Sequence, residues 1–173
     1  MQANVFIGDH TILGKNVNIQ AGAIIGTDAF YFKKSPEGFK KWRSGGRVII
    51  GDEVEIGAGC TINKGVSGDT VIGAGSKLDC QVHVGHGAVL GKNCLIAGQV
   101  GIGGKCILED GVVLNGQVGI AHGIRIGKGA MVAAKSGVSK DLEGGKTYFG
   151  IPAAEIFTKQ RELAALRQLA QRK

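Results

Sequence analysis

The amino-acid sequence predicts an all-β fold, a parallel β-helix of hexapeptide repeats with one extruded loop and a C-terminal α-helix. Three observations carry this. From Thr70 to Val138 an aliphatic residue recurs at every sixth position, through Ile72, Leu78, Val84, Leu90, Ile96 and Ile102 and on to Val138. A small residue precedes nearly every one of them by two positions, among them Ser76, Ala88, Cys94 and Cys106. A period of six fits neither a 3.6-residue helix nor a plain two-residue alternation, but it fits a short strand and a corner, repeated. Glycine makes up 31 of 173 residues without falling at every third position. That excludes collagen and points to glycine at the corners, where φ is positive.

The repeat starts at once, with Ile7, Leu13, Ile19 and Ile25. Residues 27–46 then break the phase. They hold Phe30, Tyr31, Phe32, Phe39 and Trp42, five of the chain's nine aromatics (six Phe, two Tyr, one Trp). A loop inserted at a solenoid corner breaks the phase without breaking the fold. Its aromatics either cap one another or wall a site for an apolar or flat ligand, with Phe30, Tyr31 and Trp42 as the candidate wall. The hexads resume with Ile50, Ile56 and Ile62, pause for an insertion at 66–69, and run on from Ile72. About nineteen hexads make about six triangular coils, a prism roughly 30 Å long at the usual strand spacing.

Residues 1–148 are thus the repeat domain and 149–173 a helical extension. Pro152 suits a first helical turn. Ile156, Leu163, Leu166 and Ala170 recur at helical spacing, with Lys159, Arg161, Arg167, Arg172 and Lys173 outside them. Such a helix could cap the solenoid, brace a trimer or receive an acidic carrier protein. The formal charge of +7 agrees with an acidic partner. Nucleic acid fits less well, because the aromatics are not interleaved with basic residues. The four cysteines form no CxxC, and Cys60, Cys94 and Cys106 fall on the small inward position, so they belong to the core. Without a signal-peptide pattern or a membrane-length apolar run, a cytoplasmic protein is expected.

Three hexads per coil place residues eighteen apart in columns. Gln81, Gln99, Gln117 and Lys135 form one, either an amide ladder or a polar groove floor. Gly65, His83, Gly101, Gly119 and Gly137 form another, a bare stripe that admits a ligand or a neighbouring backbone and is interrupted by His83. His86, Gly104 and His122 form a third, on a corner, with the two histidines about 10 Å apart. A base beside an unobstructed backbone donor is what acyl transfer requires. His10 reads as a surface residue.

Four segments carry a family resemblance: GRVIIGDEVEIGAGCTINKG at 46–65, SGDTVIG at 67–73, LDCQVHVGH at 78–86 and GQVGIAHG at 116–123. Together they resemble the UDP-3-O-acylglucosamine N-acyltransferases of lipid A biosynthesis, over roughly 26–152. The resemblance implies a left-handed coil, a homotrimer and active sites between subunits. It implies a 3-hydroxyacyl donor on the phosphopantetheine of acyl carrier protein and, as acceptor, the amine of a nucleotide-linked glucosamine. No metal and no tightly bound cofactor is implied. The catalytic histidine falls on His86, its supporting aspartate on Asp79 and the oxyanion glycine on Gly104. His83, Gln81, Gln99, Gln117, His122, Phe30, Tyr31 and Trp42 are the candidate substrate-binding residues. The chain departs from the pattern in three ways. A second family histidine is displaced by one, to His122; Cys80 stands where Asn is common; and the hexads begin where the family places a uridine-binding domain.

Asp79 and His86 lie on successive corners of one coil, a full face apart, so their pairing is expected across a trimer interface. Three other readings compete. An aminosugar N-acetyltransferase using acyl-CoA would share the base and the donor. A γ-type carbonic anhydrase would want a third zinc histidine where Gly127 stands. A non-catalytic or ice-binding solenoid would show threonine arrays.

Overall fold

The computed structural model describes residues 1–171, and in it the chain winds as a left-handed parallel β-helix. Short strands stack on three faces. The first face holds Phe6–Ile7, Ile24–Thr27, Thr61–Asn63, His83–Val84, Gly101–Ile102, Gly119–Ile120 and Gly137–Val138. The second runs from Ile12–Leu13 to Arg125–Ile126, and the third from Asn18–Ile19 to Thr147–Phe149. Neighbouring strands on these faces are parallel, as in His83↔Gly101↔Gly119↔Gly137.

The hexad aliphatics point inward and are sealed from water, from Ile19 through Ile102 to Val138. Each contributes about 1.5–3 kcal/mol against the entropy of ordering. The small inward residues two positions earlier do more than leave room. Cys60, Ser76, Cys94 and Cys106 donate to the carbonyls of Asp79, Gly91, Glu109 and Ala121, one coil on, at 3.0 to 3.3 Å. The three buried thiols are free, and burial pushes all three above the ordinary thiol pKa.

Several details differ from expectation. The first face stacks seven strands. The sequence implied about six coils; all seven of these strands lie within its hexads, and Leu142, bridged to Ile126, and Thr147–Phe149 prolong the second and third faces to match. Except at Gly26, the glycine after a core aliphatic of the repeat is not the left-handed residue. A Cβ at Gly57 would lie 2.5 Å from Asp79 of the next coil, and one at Gly103 would lie 2.8 Å from the His122 nitrogen. These glycines permit close backbone stacking. Positive φ falls two residues later, often without glycine, as at Gln81, Asn93, Gln99, Lys105 and Gln117. Gly65 leaves its column, because the 66–69 insertion shifts the register and Thr61 pairs with His83.

The helix, Ile156–Gln171, starts later than expected, because Ala154–Glu155 first pairs antiparallel with Tyr148–Phe149. Pro152 therefore lies in a turn rather than in the helix. The Glu155 carboxylate accepts the Phe157 and Thr158 N–H groups at 3.1 and 3.0 Å and caps the helix. From Gln160 to Ala170 every residue is exposed, so beyond its first turn the helix covers no core. Arg172 and Lys173, assigned to its basic flank, lie outside the described residues. Among the described residues no helix is long and apolar enough to cross a membrane.

Candidate active site

One edge of the prism, where the first face turns into the second, collects every irregularity of the repeat. The aromatic excursion leaves Thr27 there and folds into an antiparallel hairpin of Phe32–Ser35 and Gly38–Lys41. The 66–69 insertion leaves the same edge one coil later, after Thr61–Asn63. The two excursions are joined at their roots. Gly45 and Gly46 donate to the carbonyls of Val66 and Gly65 at 3.0 and 2.9 Å, and Arg47 pairs with Asp69 at 2.9 Å. Directly beyond them on this edge come His86, Gly104 and His122.

His86 is 6% exposed, and its ring lies over Gly104. A Cβ added at Gly104 would sit 2.7 Å from His86 Nε2, so the imidazole occupies the space a side chain there would fill. His122 leans in from two coils away. The ring centroids are 5.8 Å apart rather than about 10 Å, because nothing at Gly104 separates them. Tyr31, from the hairpin, meets His86 edge-on at 5.5 Å and 76°. Burial, then the charges of His122 and Lys105, push the His86 imidazole below its ordinary value of 6.5, which favours the neutral base. Nδ1 is buried and bonded to nothing among the described residues, and a half-turn of the ring would exchange it for Cδ2 on the Gly104 side.

Gly104 occupies the second corner position after its core aliphatic. The backbone amide at this position is capped by a side-chain oxygen in some coils and left uncapped in others. Lys15 and Lys92 N–H donate to the carboxylates of Asp52 and Asp110 at 2.6 and 2.7 Å. Cys80 and Lys128 N–H do the same to Asp79 and Glu109, at 2.7 and 2.8 Å. Gly104 N–H has no such acceptor among the described residues, and neither do Ala74, Gly98, Gly116 and His122 N–H; what sets Gly104 apart is the imidazole over it. Its N–H is a donor of the kind that elsewhere in this fold binds a carboxylate oxygen, left uncapped beside an imidazole.

The hexapeptide description of bacterial transferases (six repeats) matches residues 69–104, a stretch that contains Asp79, His86 and Gly104. Over this stretch the chain carries the hexapeptide repeat of bacterial transferases. It is 45% identical over 94% of its length to a UDP-3-O-acylglucosamine N-acyltransferase of Methylobacterium nodulans, and spans 46% of that protein. It is 49% identical over 97% of its length to one from Caulobacter vibrioides, spanning 49% of it. The chain therefore spans about half the length of these relatives, matching their C-terminal part. Among solved structures, the UDP-N-acetylglucosamine acyltransferase of Francisella novicida aligns with a TM-score of 0.79 at 29% identity, covering 87% of this chain and 54% of that one.

The remaining candidate residues divide among three places. Gln81, Gln99 and Gln117 form a ladder on the opposite edge of the first face, with amide-to-amide hydrogen bonds of 2.8 and 2.7 Å. Gln99 and Gln117 also line an open groove of about 440 Å³ with Asp79 and Lys135. Asp79 is on this edge, bonded to Cys80 N–H and not to His86. The glycine stripe lies between the two edges. His83 stands at its foot, exposed, with Nδ1 2.9 Å from Thr61 Oγ1. Of the aromatics, only Tyr31 reaches His86. Phe30 packs on Phe32 at 5.0 Å and is largely exposed, and Trp42 carries Lys33 over its ring at 3.3 Å. Phe30, Tyr31, Phe32 and Phe39 line an open apolar pocket of about 520 Å³. Sequence reasoning missed Lys105 and Thr61 as neighbours of the two histidines. Both sit one coil away in register, a relation readable only once the insertions are assigned to an edge. Among the described residues no three His, Cys, Asp or Glu side chains group as metal ligands.

Proposed function

We propose that this chain transfers a 3-hydroxyacyl group from the phosphopantetheine thioester of acyl carrier protein to the amine of a nucleotide-linked glucosamine. The observation that carries the reading is the uncapped Gly104 N–H beside the neutral, buried His86. The names of the relatives supply the substrate class. The amine attacks the thioester carbonyl, forming the C–N bond. His86 Nε2 takes the amine proton, and Gly104 N–H receives the developing oxyanion. Collapse breaks the C–S bond, and the thiolate leaves and is protonated. Asp79 of a neighbouring copy supports the imidazolium, as the third member of a triad does. An outward apolar column on the second face, exposed at Ile12, Val89 and Ile107 and half-buried at Ile49 and Val71, supports such an assembly, and the charge of +7 suits an acidic carrier.

The test is a donor and acceptor screen read by mass spectrometry. Carrier protein loaded with 3-hydroxyacyl chains and acetyl-CoA are offered with several aminosugar nucleotides. Amide product from the loaded carrier supports the proposal. Product from acetyl-CoA alone transfers the reading to an N-acetyltransferase.

A further inference from the structure

We propose that Tyr31 is a positioning residue for His86, a shield carried by the hairpin that keeps water from the imidazole and holds it over Gly104. The pH-rate part of this rests on the acyl-transfer reading, while the shielding itself does not. Tyr31 lies on the excursion, yet its main chain is held from both sides. Trp42 N–H donates to its carbonyl at 2.9 Å, and Ala29 N–H donates to Ser44 Oγ at 3.0 Å. The root is bound to the prism by Asp28, whose carboxylate meets Lys41 at 2.8 Å and Lys64 at 3.1 Å. The Asn63 amide adds a bond to Thr27 Oγ1 at 3.0 Å. A loop that only connected two coils would not need these ties.

The hairpin treats its aromatics unequally. Phe30 and Phe39 are 87% and 76% exposed, whereas Tyr31 is half-buried and turns its ring edge to His86. An exposed corner residue of this solenoid is ordinarily wet, as Lys105 is at the neighbouring corner. His86 is dry because Tyr31 covers it from outside the prism. The charged or titratable groups that face His86 are His122 and Lys105 on the prism and Tyr31 on the hairpin. These two prism neighbours and the shielding act in one direction, toward the neutral base. The Tyr31 ring also walls the apolar pocket, so the same residue borders both the base and a space open to a ligand.

The test titrates the four histidines of the full chain by NMR, with the His86 signal assigned by its loss in His86→Gln. Tyr31→Ala raises the His86 midpoint toward the ordinary imidazole value of about 6.5. Tyr31→Phe, which keeps the ring, holds the wild-type midpoint. Tyr31→Leu, which keeps apolar bulk, gives an intermediate rise and serves if the alanine variant loses its fold by circular dichroism. An unmoved midpoint in folded Tyr31→Ala overturns the proposal. So does a Tyr31→Phe midpoint that moves as far as that of Tyr31→Ala. In the same variants the acid limb of kcat/KM moves with the midpoint. A midpoint that moves without the acid limb keeps Tyr31 as the shield and removes His86 as the base.

Discussion

His86 combines burial, a pKa lowered first by that burial and a side-chain-free corner beside it. Removing the base with His86→Ala lowers turnover by about 10²–10⁴-fold. Steady-state kinetics on the loaded carrier check this, and turnover near wild-type would dismiss His86. Gly104→Ala keeps the N–H but places a methyl group where the imidazole lies. A displacement of this size costs about a hundredfold in kcat/KM, while thermal stability changes little because a side chain can swing away. The same burial links His86 to folding. The fold disfavours imidazolium, so the unfolded chain binds the proton first. The stabilising contribution is complete above the unfolded value near 6.5 and is lost as pH falls through the lower folded one. Denaturant unfolding at successive pH values should therefore show a larger acid loss for wild-type than for His86→Gln. Equal losses would show that His86 is not linked to stability.

The glutamine column is an element with a conformational cost and a local return. Gln81, Gln99 and Gln117 all hold φ of 60°, a region that is unfavourable for residues other than glycine. Their side chains offset this by bonding one another along the axis. Gln99→Gly trades the two amide bonds for an unstrained corner and leaves stability within about 1 kcal/mol. Gln99→Val loses the bonds and keeps the strain, and lowers stability by about 2 kcal/mol or more. Thermal and denaturant unfolding of the two variants separates ladder from backbone. The hairpin and the 66–69 insertion make up a second element, clamped by Arg47 and Asp69. A Cβ at Gly46 or Gly65 would collide with the Gly68 carbonyl, so both glycines are required by this close approach. The helix is a third element, one that leaves Leu166 and Leu169 exposed.

The prism as a whole is a stack in which each coil buries its residues only against its neighbours. Truncating one fully buried rung, Ile102→Ala, opens a cavity with little room to collapse and costs about 2–5 kcal/mol in denaturant unfolding. A loss below about 1 kcal/mol would contradict a continuous close-packed core. Asp79 and His86 sit on opposite edges of the first face, so a catalytic pair must draw on two copies. Inactive Asp79→Ala and His86→Ala chains, unfolded and refolded together, should regain part of the wild-type rate through mixed assemblies. Mixtures as inactive as their parts would place each site within one chain.

The six-residue period, the inward aliphatics and the eighteen-residue columns were all legible in the sequence, because a solenoid repeats its local geometry and each hexad meets the same environment. The periodicity led to His86, Gly104 and the glutamine ladder without reference to contacts. Positions that depend on interrupted phase were not legible. Gly65 was assigned to a column that Thr61 occupies, since an insertion adds residues without adding a rung. Tyr31 could be listed among five loop aromatics but not singled out, because its approach to His86 depends on the Asp28, Asn63 and Ser44 bonds that aim the hairpin. The spacing of Asp79 and His86 follows from chain length alone. The uncapped amide at Gly104, the dry imidazole above it and the ring that keeps it dry come from three separate stretches of chain, and only the coiled structure brings them to one edge.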